Sequence, residues 1–106
     1  MEGKLDLNTH LIKHPTATFF VKASGESMLG AGIHDGDILV VDRSLEPRKG
    51  RVVIAAVDGQ LTVKRLQKKG SKTFLVPENK KFRSIELSEN NDVMIWGVVT
   101  NVIHKV

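Results

Sequence analysis

The pair Asp58-Gly59, which stands between two β-like runs, restricts the fold of this chain more than any other sequence feature. An Asp-Gly pair flanked by apolar and β-branched residues is the strongest short-range signal for a hairpin with a two-residue turn. Residues 51–57 and 60–67 are the two predicted strands. The sequence therefore predicts antiparallel β-structure at the centre of the chain.

Further short apolar runs, separated by Gly, Pro, Asp and Asn, extend this pattern along the chain. They predict strands at residues 18–23, 38–42, 73–76 and 92–106. Residues 6–14 predict one short helix, which Asp6 or Asn8 would cap and Pro15 would end. The predicted fold class is mainly β, with short strands, hairpins and one N-terminal helix in a single domain of residues 1–106.

The composition excludes several classes of function. The 106 residues include no cysteine, which removes disulfides, thiol catalysis and thiolate metal sites. No apolar run approaches the roughly 20 residues that span a bilayer, and the polar residues 1–4 do not resemble a signal peptide. The net charge of +4 comes without an aromatic-and-basic platform or a recognition helix. We therefore expect a cytoplasmic protein with no cofactor, no membrane contact and no direct nucleic-acid binding.

The last predicted strand is apolar on both faces. Strict alternation places Val93, Ile95, Val99 and Ile103 on one face, and Met94, Trp96, Val98 and Val102 on the other. A strand with one solvent-exposed face alternates polar and apolar residues. Because this strand is apolar on both faces, we expect both to pack against other residues. One face can meet the core. The sequence predicts that the other meets a second copy of the chain, with a fully internal strand as the alternative.

The first residue that indicates chemistry is Ser27, in the segment Ser24-Gly25-Glu26-Ser27-Met28. A tight loop after a strand can hold a serine at the rim of a sheet. The backbone N–H groups of Glu26 and Ser27 would then point at a developing oxyanion. Most Ser-Gly loops are only turns, so the loop alone is a weak indication.

The second such residue is Lys64, which stands between apolar neighbours on a predicted strand. Alternation places Thr62, Lys64 and Leu66 on one face, and an exposed lysine is the commoner interpretation. If the side chain is desolvated, its pKa falls from the ordinary value of about 10.4. The neutral amine could then accept the Ser27 proton, with Thr62 orienting it.

Four segments together resemble the LexA/UmuD family of self-cleaving serine–lysine peptidases. They are residues 24–28, 35–42, 62–66 and 76–79, and their order and spacing match over nearly the whole chain. The resemblance implies that Ser27 is the nucleophile and Lys64 its general base. The N-terminal quarter, with Asp6-Leu7-Asn8 and His14-Pro15, is more similar to the UmuD branch than to LexA repressors.

Resemblance to the UmuD branch implies an SOS-response protein. A RecA filament on DNA would stimulate it to cleave its own N-terminal arm, and the processed dimer would serve an error-prone translesion DNA polymerase as a subunit. Family members cut at an Ala-Gly or Cys-Gly bond in the arm. We find no such arm here and interpret Ala31-Gly32 as a turn, so the expected chain is a processed or further-truncated form.

Two related functions are alternatives. The first is the dimerisation and self-cleavage domain of a LexA-like repressor, although no helix-turn-helix precedes the predicted domain. The second is a membrane signal peptidase, which would need a transmembrane anchor.

The four histidines suggest no metal site in the sequence. His10 and His14 are spaced to share a helix face, but no third ligand is evident. His34 and His104 are isolated along the chain. A Ser-His-Asp triad would use one of these histidines with Asp35, Asp37 or Asp42, and none has a better claim than Lys64.

A basic cluster follows Asn79. Lys80, Lys81 and Arg83 surround Phe82 in a predicted solvent-exposed loop. The alternative is a docking surface for acidic residues of a partner.

Overall fold

A computed structural model describes residues 3–106, so Met1 and Glu2 of the polar N-terminal stretch lie outside it. Seven strands form one antiparallel sheet in the order β1-β2-β7-β3-β4-β5-β6. The strands are β1 (Thr18–Lys22), β2 (Ile38–Asp42), β3 (Val52–Val57), β4 (Gln60–Lys69), β5 (Lys72–Val76), β6 (Ile85–Glu86) and β7 (Val93–Ile103). The predicted mainly β fold with one short N-terminal helix is confirmed.

The predicted hairpin forms between β3 and β4. Asp58 and Gly59 have φ angles of 49° and 85°, which is the backbone of a type I′ turn. The strands pair from Val57↔Gln60 to Val52↔Arg65. Strand β6 has only two residues, so it lacks the alternation by which sequence reasoning could have found it.

The helix α1 (Leu7–Leu11) is shorter than predicted. Asp6 caps it by accepting a hydrogen bond from the Asn8 N–H at 3.0 Å. Ile12 is already extended, and a separate 3₁₀ turn covers Pro15–Ala17. No residue of α1 is buried, so packing does not prolong it. Within residues 3–106, no helix has the length and apolar character to cross a bilayer.

Strand β7 runs through the middle of the sheet and contains two irregularities. It has an extra residue, Trp96, against β3 and another, Thr100, against β2. Each extra residue reverses the alternation of side chains between the two faces. The predicted faces are therefore wrong at two residues: Val98 packs with Val93 and Ile95, while Val99 packs with Val102.

Two apolar clusters cover the two faces of β7. One cluster includes Met28, Leu39 and Ile54, and the other includes Val53, Leu66 and Leu75. Gly97 and Val98, in the middle of β7, are buried, but the strand as a whole is not fully internal. The large apolar side chains of β7 that remain exposed are Met94, Trp96 and Ile103.

Candidate active site

The structure brings together the two residues that the sequence singles out, which are 37 positions apart. Lys64 Nζ lies 2.9 Å from Ser27 Oγ. It also lies 2.6 Å from Thr62 Oγ1 and 3.1 Å from the Val63 carbonyl oxygen. Thr62, predicted to orient the amine, therefore contacts it directly.

The surroundings of Lys64 favour a neutral amine. The residue is 8% exposed, and burial lowers the pKa of its ammonium group because charge is disfavoured away from water. No carboxylate of residues 3–106 forms an ion pair with Lys64 to offset this. A neutral amine has two N–H donors and one lone pair. Thr62 and Val63 can accept both donors, which leaves the lone pair for the Ser27 hydroxyl.

Strand pairing explains why a loop can reach Lys64. Strand β4 pairs with β5 only from Arg65 to Lys69, so its first half has no strand on that side. Lys64 is the last residue before this pairing begins. The turn that carries Ser27 approaches at this unpaired section, and the Ser27 carbonyl accepts a hydrogen bond from the Glu78 N–H, just after β5.

A second turn supports the chain as it leaves β1 towards Ser27. Ala23 N–H donates to the Asp37 carbonyl at 2.7 Å, and Gly36 N–H donates to the Ala23 carbonyl at 2.8 Å. Gly25 N–H donates to Asp35 Oδ1 at 2.7 Å. Gly25 has a φ of 83°, a left-handed conformation that glycine adopts without strain. The turn at 35–37 therefore fixes the path of the segment that leads to Ser27.

On the other side, the segment after β5 clamps the Ser27 loop. Glu78 N–H donates to the Ser27 carbonyl at 2.8 Å, and Gly30 N–H donates to the Glu78 carbonyl at 2.7 Å. The Asn79 side-chain amide donates to the Glu26 carbonyl at 2.8 Å. The sequence analysis assigned no individual role to Glu78 or Asn79. Their place in one of the four resembling segments was the only signal.

The predicted oxyanion donors have no hydrogen-bond acceptor among the residues that the structure describes. Among residues 3–106, neither the Glu26 N–H nor the Ser27 N–H donates to another group, whereas both carbonyls are hydrogen-bonded. The Glu26 carbonyl belongs to the same peptide unit as the Ser27 N–H, so its hydrogen bond from Asn79 holds that unit in place. The role of these N–H groups stays a prediction.

A cleft of about 210 Å³ opens beside Ser27. One side is the end of β1 with the residues after it, and the other is the start of β4. The residues that line the cleft are Val21, Lys22, Ala23, Ser24, Ser27, Leu39, Ile54, Leu61, Thr62 and Val63. This mostly apolar lining suits small apolar side chains of an extended peptide.

The histidines are arranged differently from the prediction. Because α1 ends at Leu11, His10 and His14 do not share a helix face. His14 Nδ1 lies 2.5 Å from the buried carboxylate of Asp42. No histidine of residues 3–106 hydrogen-bonds to Ser27, so the geometry does not form a Ser-His-Asp triad.

His34 and His104, isolated along the chain, are neighbours in the fold. Their ring centroids are 4.7 Å apart. Both face Asp37, whose carboxylate accepts hydrogen bonds from the His34 backbone N–H and the His104 ring. These two bonds hold the pKa of Asp37 below its ordinary value. The sequence could not reveal this cluster because its members belong to a turn and to the segment after β7.

The basic cluster lies in an exposed loop, as predicted. Lys80, Lys81, Phe82 and Arg83 are all exposed. The Asn79 side chain accepts a hydrogen bond from the Lys81 N–H at 3.0 Å, at the start of this loop. Docking of an acidic partner here stays a prediction.

Comparisons with known proteins give one family match and several similar relatives. The profile of the family described as Peptidase S24-like matches residues 1–100. Protein ImpA of Salmonella typhimurium is 49% identical over 105 residues, which cover 98% of this chain and 70% of the relative. Protein SamA of Salmonella typhimurium strain LT2 is 47% identical, covering 98% of this chain and 71% of the relative. Protein MucA of Escherichia coli is 44% identical over 92% of this chain and 67% of its own length.

Proposed function

Because the chain belongs to the Peptidase S24-like family, we propose that it is a UmuD-type self-cleaving peptidase in which Ser27 is the nucleophile and Lys64 the general base. The observation that carries this proposal is the 2.9 Å contact between Ser27 Oγ and a buried lysine whose pKa is lowered. A lysine serves as a base only when it is neutral, and burial without a partner carboxylate favours that form.

The first step forms an acyl-enzyme. Neutral Lys64 accepts the proton of the Ser27 hydroxyl as Oγ attacks the scissile carbonyl carbon. The carbonyl oxygen becomes an oxyanion, which the N–H groups of Glu26 and Ser27 would stabilise. The C–N bond then breaks, and the Lys64 ammonium gives its proton to the leaving amine. The new amino terminus departs, and an ester to Ser27 remains.

The second step restores the enzyme. Lys64, neutral again, accepts a proton from a water molecule that attacks the ester carbonyl carbon. The bond to Ser27 Oγ breaks, and Oγ takes the proton back from Lys64. The products are a carboxylic acid and the free serine. Thr62 and the Val63 carbonyl keep the amine aimed at Oγ throughout.

The substrate class that the cleft favours is an extended peptide segment with small apolar side chains at the cut. Strand β1 is an edge strand of the sheet, and the first half of β4 has no partner on its β5 side. Edge strands accept an additional strand through main-chain hydrogen bonds. An arm with an Ala-Gly bond could lie between these two edges, over the apolar floor of Leu39 and Ile54.

We place this chemistry in the SOS response, as the UmuD resemblance implies. The peptidase would remove an N-terminal arm after stimulation by a RecA filament. The processed chain would act in the cytoplasm as a homodimer and as a subunit of an error-prone translesion polymerase. The exposed apolar residues of β7 are the surface that we assign to the dimer.

The test is cleavage of the chain when it is preceded by an N-terminal arm that carries an Ala-Gly bond. Incubation at alkaline pH, followed by mass spectrometry, should show two fragments that meet at this bond. Ser27→Ala and Lys64→Ala should each lower the cleavage rate by at least about 1,000-fold, because neither nucleophile nor base can be replaced locally.

Two matched controls line the same cleft. Ser24→Ala removes a neighbouring hydroxyl, and Lys22→Ala removes a neighbouring amine. Both should leave cleavage within a few-fold of the unmodified chain. Cleavage that survives Ser27→Ala would reject the nucleophile, and cleavage that survives Lys64→Ala would reject the base.

A further inference from the structure

His34, Asp37 and His104 form a cluster of metal-ligand side chains away from the Ser27 site. Asp37 Oδ1 lies 2.6 Å from His104 Nδ1, and Asp37 Oδ2 lies 3.6 Å from His34 Nδ1. One donor atom from each side chain lies within 4.8 Å of the other two. Three donors from a turn and from the segment after β7 therefore converge on one point.

The donor set suits a borderline divalent cation. Two imidazole nitrogens with one carboxylate oxygen are ligands that Zn²⁺ and its neighbours prefer, and hard cations such as Mg²⁺ favour oxygen alone. Zinc bonds of about 2.0–2.2 Å set tetrahedral ligand atoms roughly 3.3–3.5 Å apart. The separations of 2.6 Å and 3.6 Å end on different oxygens of Asp37, and the three donor atoms lie within 4.8 Å of one another, so side-chain rotations are needed to bring them to that spacing.

The surroundings of Asp37 prepare it to be the fixed ligand. Its side chain is 3% exposed, and the His34 backbone N–H donates to Oδ2 at 2.7 Å. A hydrogen bond of this kind orients a ligating carboxylate. The imidazoles are about half exposed, which gives an entry path and leaves a coordination position open to water.

We propose that His34, Asp37 and His104 form a binding site for Zn²⁺ or a similar borderline divalent cation. To bind the cation through Nδ1, each imidazole would carry its hydrogen on Nε2. The cation would join the segment after β7 to the turn whose Asp35 and Asp37 hold Gly25 and Ala23. It would thereby stiffen the support of the Ser27 loop.

The experiment is calorimetric titration of the tag-free chain with Zn²⁺ alone. We expect one equivalent to bind, and we expect the affinity to fall at least about tenfold in His34→Ala and in His104→Ala. Both residues are exposed enough for these variants to fold, which circular dichroism can verify. One equivalent of Zn²⁺ should also raise the Tm of the unmodified chain but not that of His104→Ala.

The matched control is His14→Ala. His14 contacts buried Asp42 at 2.5 Å, much as His104 contacts Asp37, but among residues 3–106 no second imidazole joins that pair in a metal-ligand cluster. His14→Ala should bind Zn²⁺ like the unmodified chain. Absence of saturable binding, or equal binding by all three variants, would overturn the site. A loss in His14→Ala as large as that in His104→Ala would also overturn it.

Discussion

At the scale of single residues, Lys64 combines a buried position with contacts that match a neutral amine. Its two hydrogen-bond acceptors are local, within two positions along the same strand, and only Ser27 comes from elsewhere. Alternation along the strand predicted that Thr62 shares its face. Alternation could not predict that the lysine is buried, because burial depends on where the Ser27 loop packs.

The contacts around Ser27 likewise fall into a part that the sequence predicted and a part that it did not. The resemblance to the family singled out Ser27 itself. The support from Asp35, Glu78 and Asn79 was not predicted, since each contact joins two separate loops, and those of Glu78 and Asn79 reach about 50 positions along the chain. Such contacts depend on the order of the strands in the sheet, which local sequence patterns do not predict.

Replacing Lys64 with methionine should stabilise the fold in a pH-dependent way. The pKa of Lys64 is lower in the folded than in the unfolded chain. At pH values between these two pKa values, the unfolded chain binds more protons than the folded chain. The free energy of unfolding of the unmodified chain therefore rises with pH in this range. The extra free energy of unfolding of Lys64→Met over the unmodified chain should therefore be greatest at pH values below the pKa of Lys64 in the folded chain. It should vanish as the pH passes 10.5, the ordinary lysine value.

Urea denaturation of both chains over this pH range measures the effect. Lys68→Met, at an exposed position of the same strand, is the control and should give a difference that does not vary with pH in this way. A constant difference between Lys64→Met and the unmodified chain would contradict a lowered pKa.

At the scale of elements, β7 is where the sequence pattern and the structure differ most. The predicted alternation assumed a regular strand, and the two extra residues change the faces of Val98 and Val99. A bulge leaves a weak sequence signal, because the extra residue can be of almost any type. Gly97, next to Trp96, was the one local indication.

Gly97 is required by close packing. An alanine Cβ at this position would meet Val41 Cγ1 at 2.7 Å and the Asp42 carbonyl oxygen at 3.1 Å. Both atoms belong to the neighbouring strand β2, which cannot move away without breaking its pairing. Gly97→Ala should therefore destabilise the fold by about 1–3 kcal/mol, measured by urea denaturation.

Gly3→Ala is the control for this substitution, because no atom of residues 3–106 lies within 4 Å of a Cβ there. It should change the free energy of unfolding by less than about 0.5 kcal/mol. Equal stability of Gly97→Ala and Gly3→Ala would show that β2 can yield at this position.

At the scale of the whole molecule, much of the architecture follows from local signals. The Asp58-Gly59 pair predicted the central hairpin, and the apolar runs predicted six of the seven strands to within a few residues of their observed bounds. The order of strands was not predictable, because β7 inserts between β2 and β3 through contacts far apart in the chain.

The prediction of a homodimer rests on the apolar side chains of β7 that stay exposed on the molecular surface. Met94 and Trp96 border a hollow of about 370 Å³ together with Phe19 and Arg43. Sedimentation at micromolar concentration should give a dimer, and Trp96→Glu should give a monomer because it places a charge in the apolar contact. Phe82→Glu is the matched control, since Phe82 is 46% exposed and Trp96 is 43% exposed.

Phe82→Glu should remain a dimer, because its loop lies outside β7. A monomeric unmodified chain would contradict the dimer. A dimer that tolerates Trp96→Glu would place the contact on another surface.

The most direct measurement of the central claim is the first-order rate of arm cleavage as a function of pH. If Lys64 is the base for Ser27, the rate should rise with pH as the ammonium loses its proton. It should then level off below 10.5, because burial lowers the pKa of Lys64. A rate that does not depend on pH, or that keeps rising through 10.5 without levelling off, would contradict the Ser27–Lys64 pair.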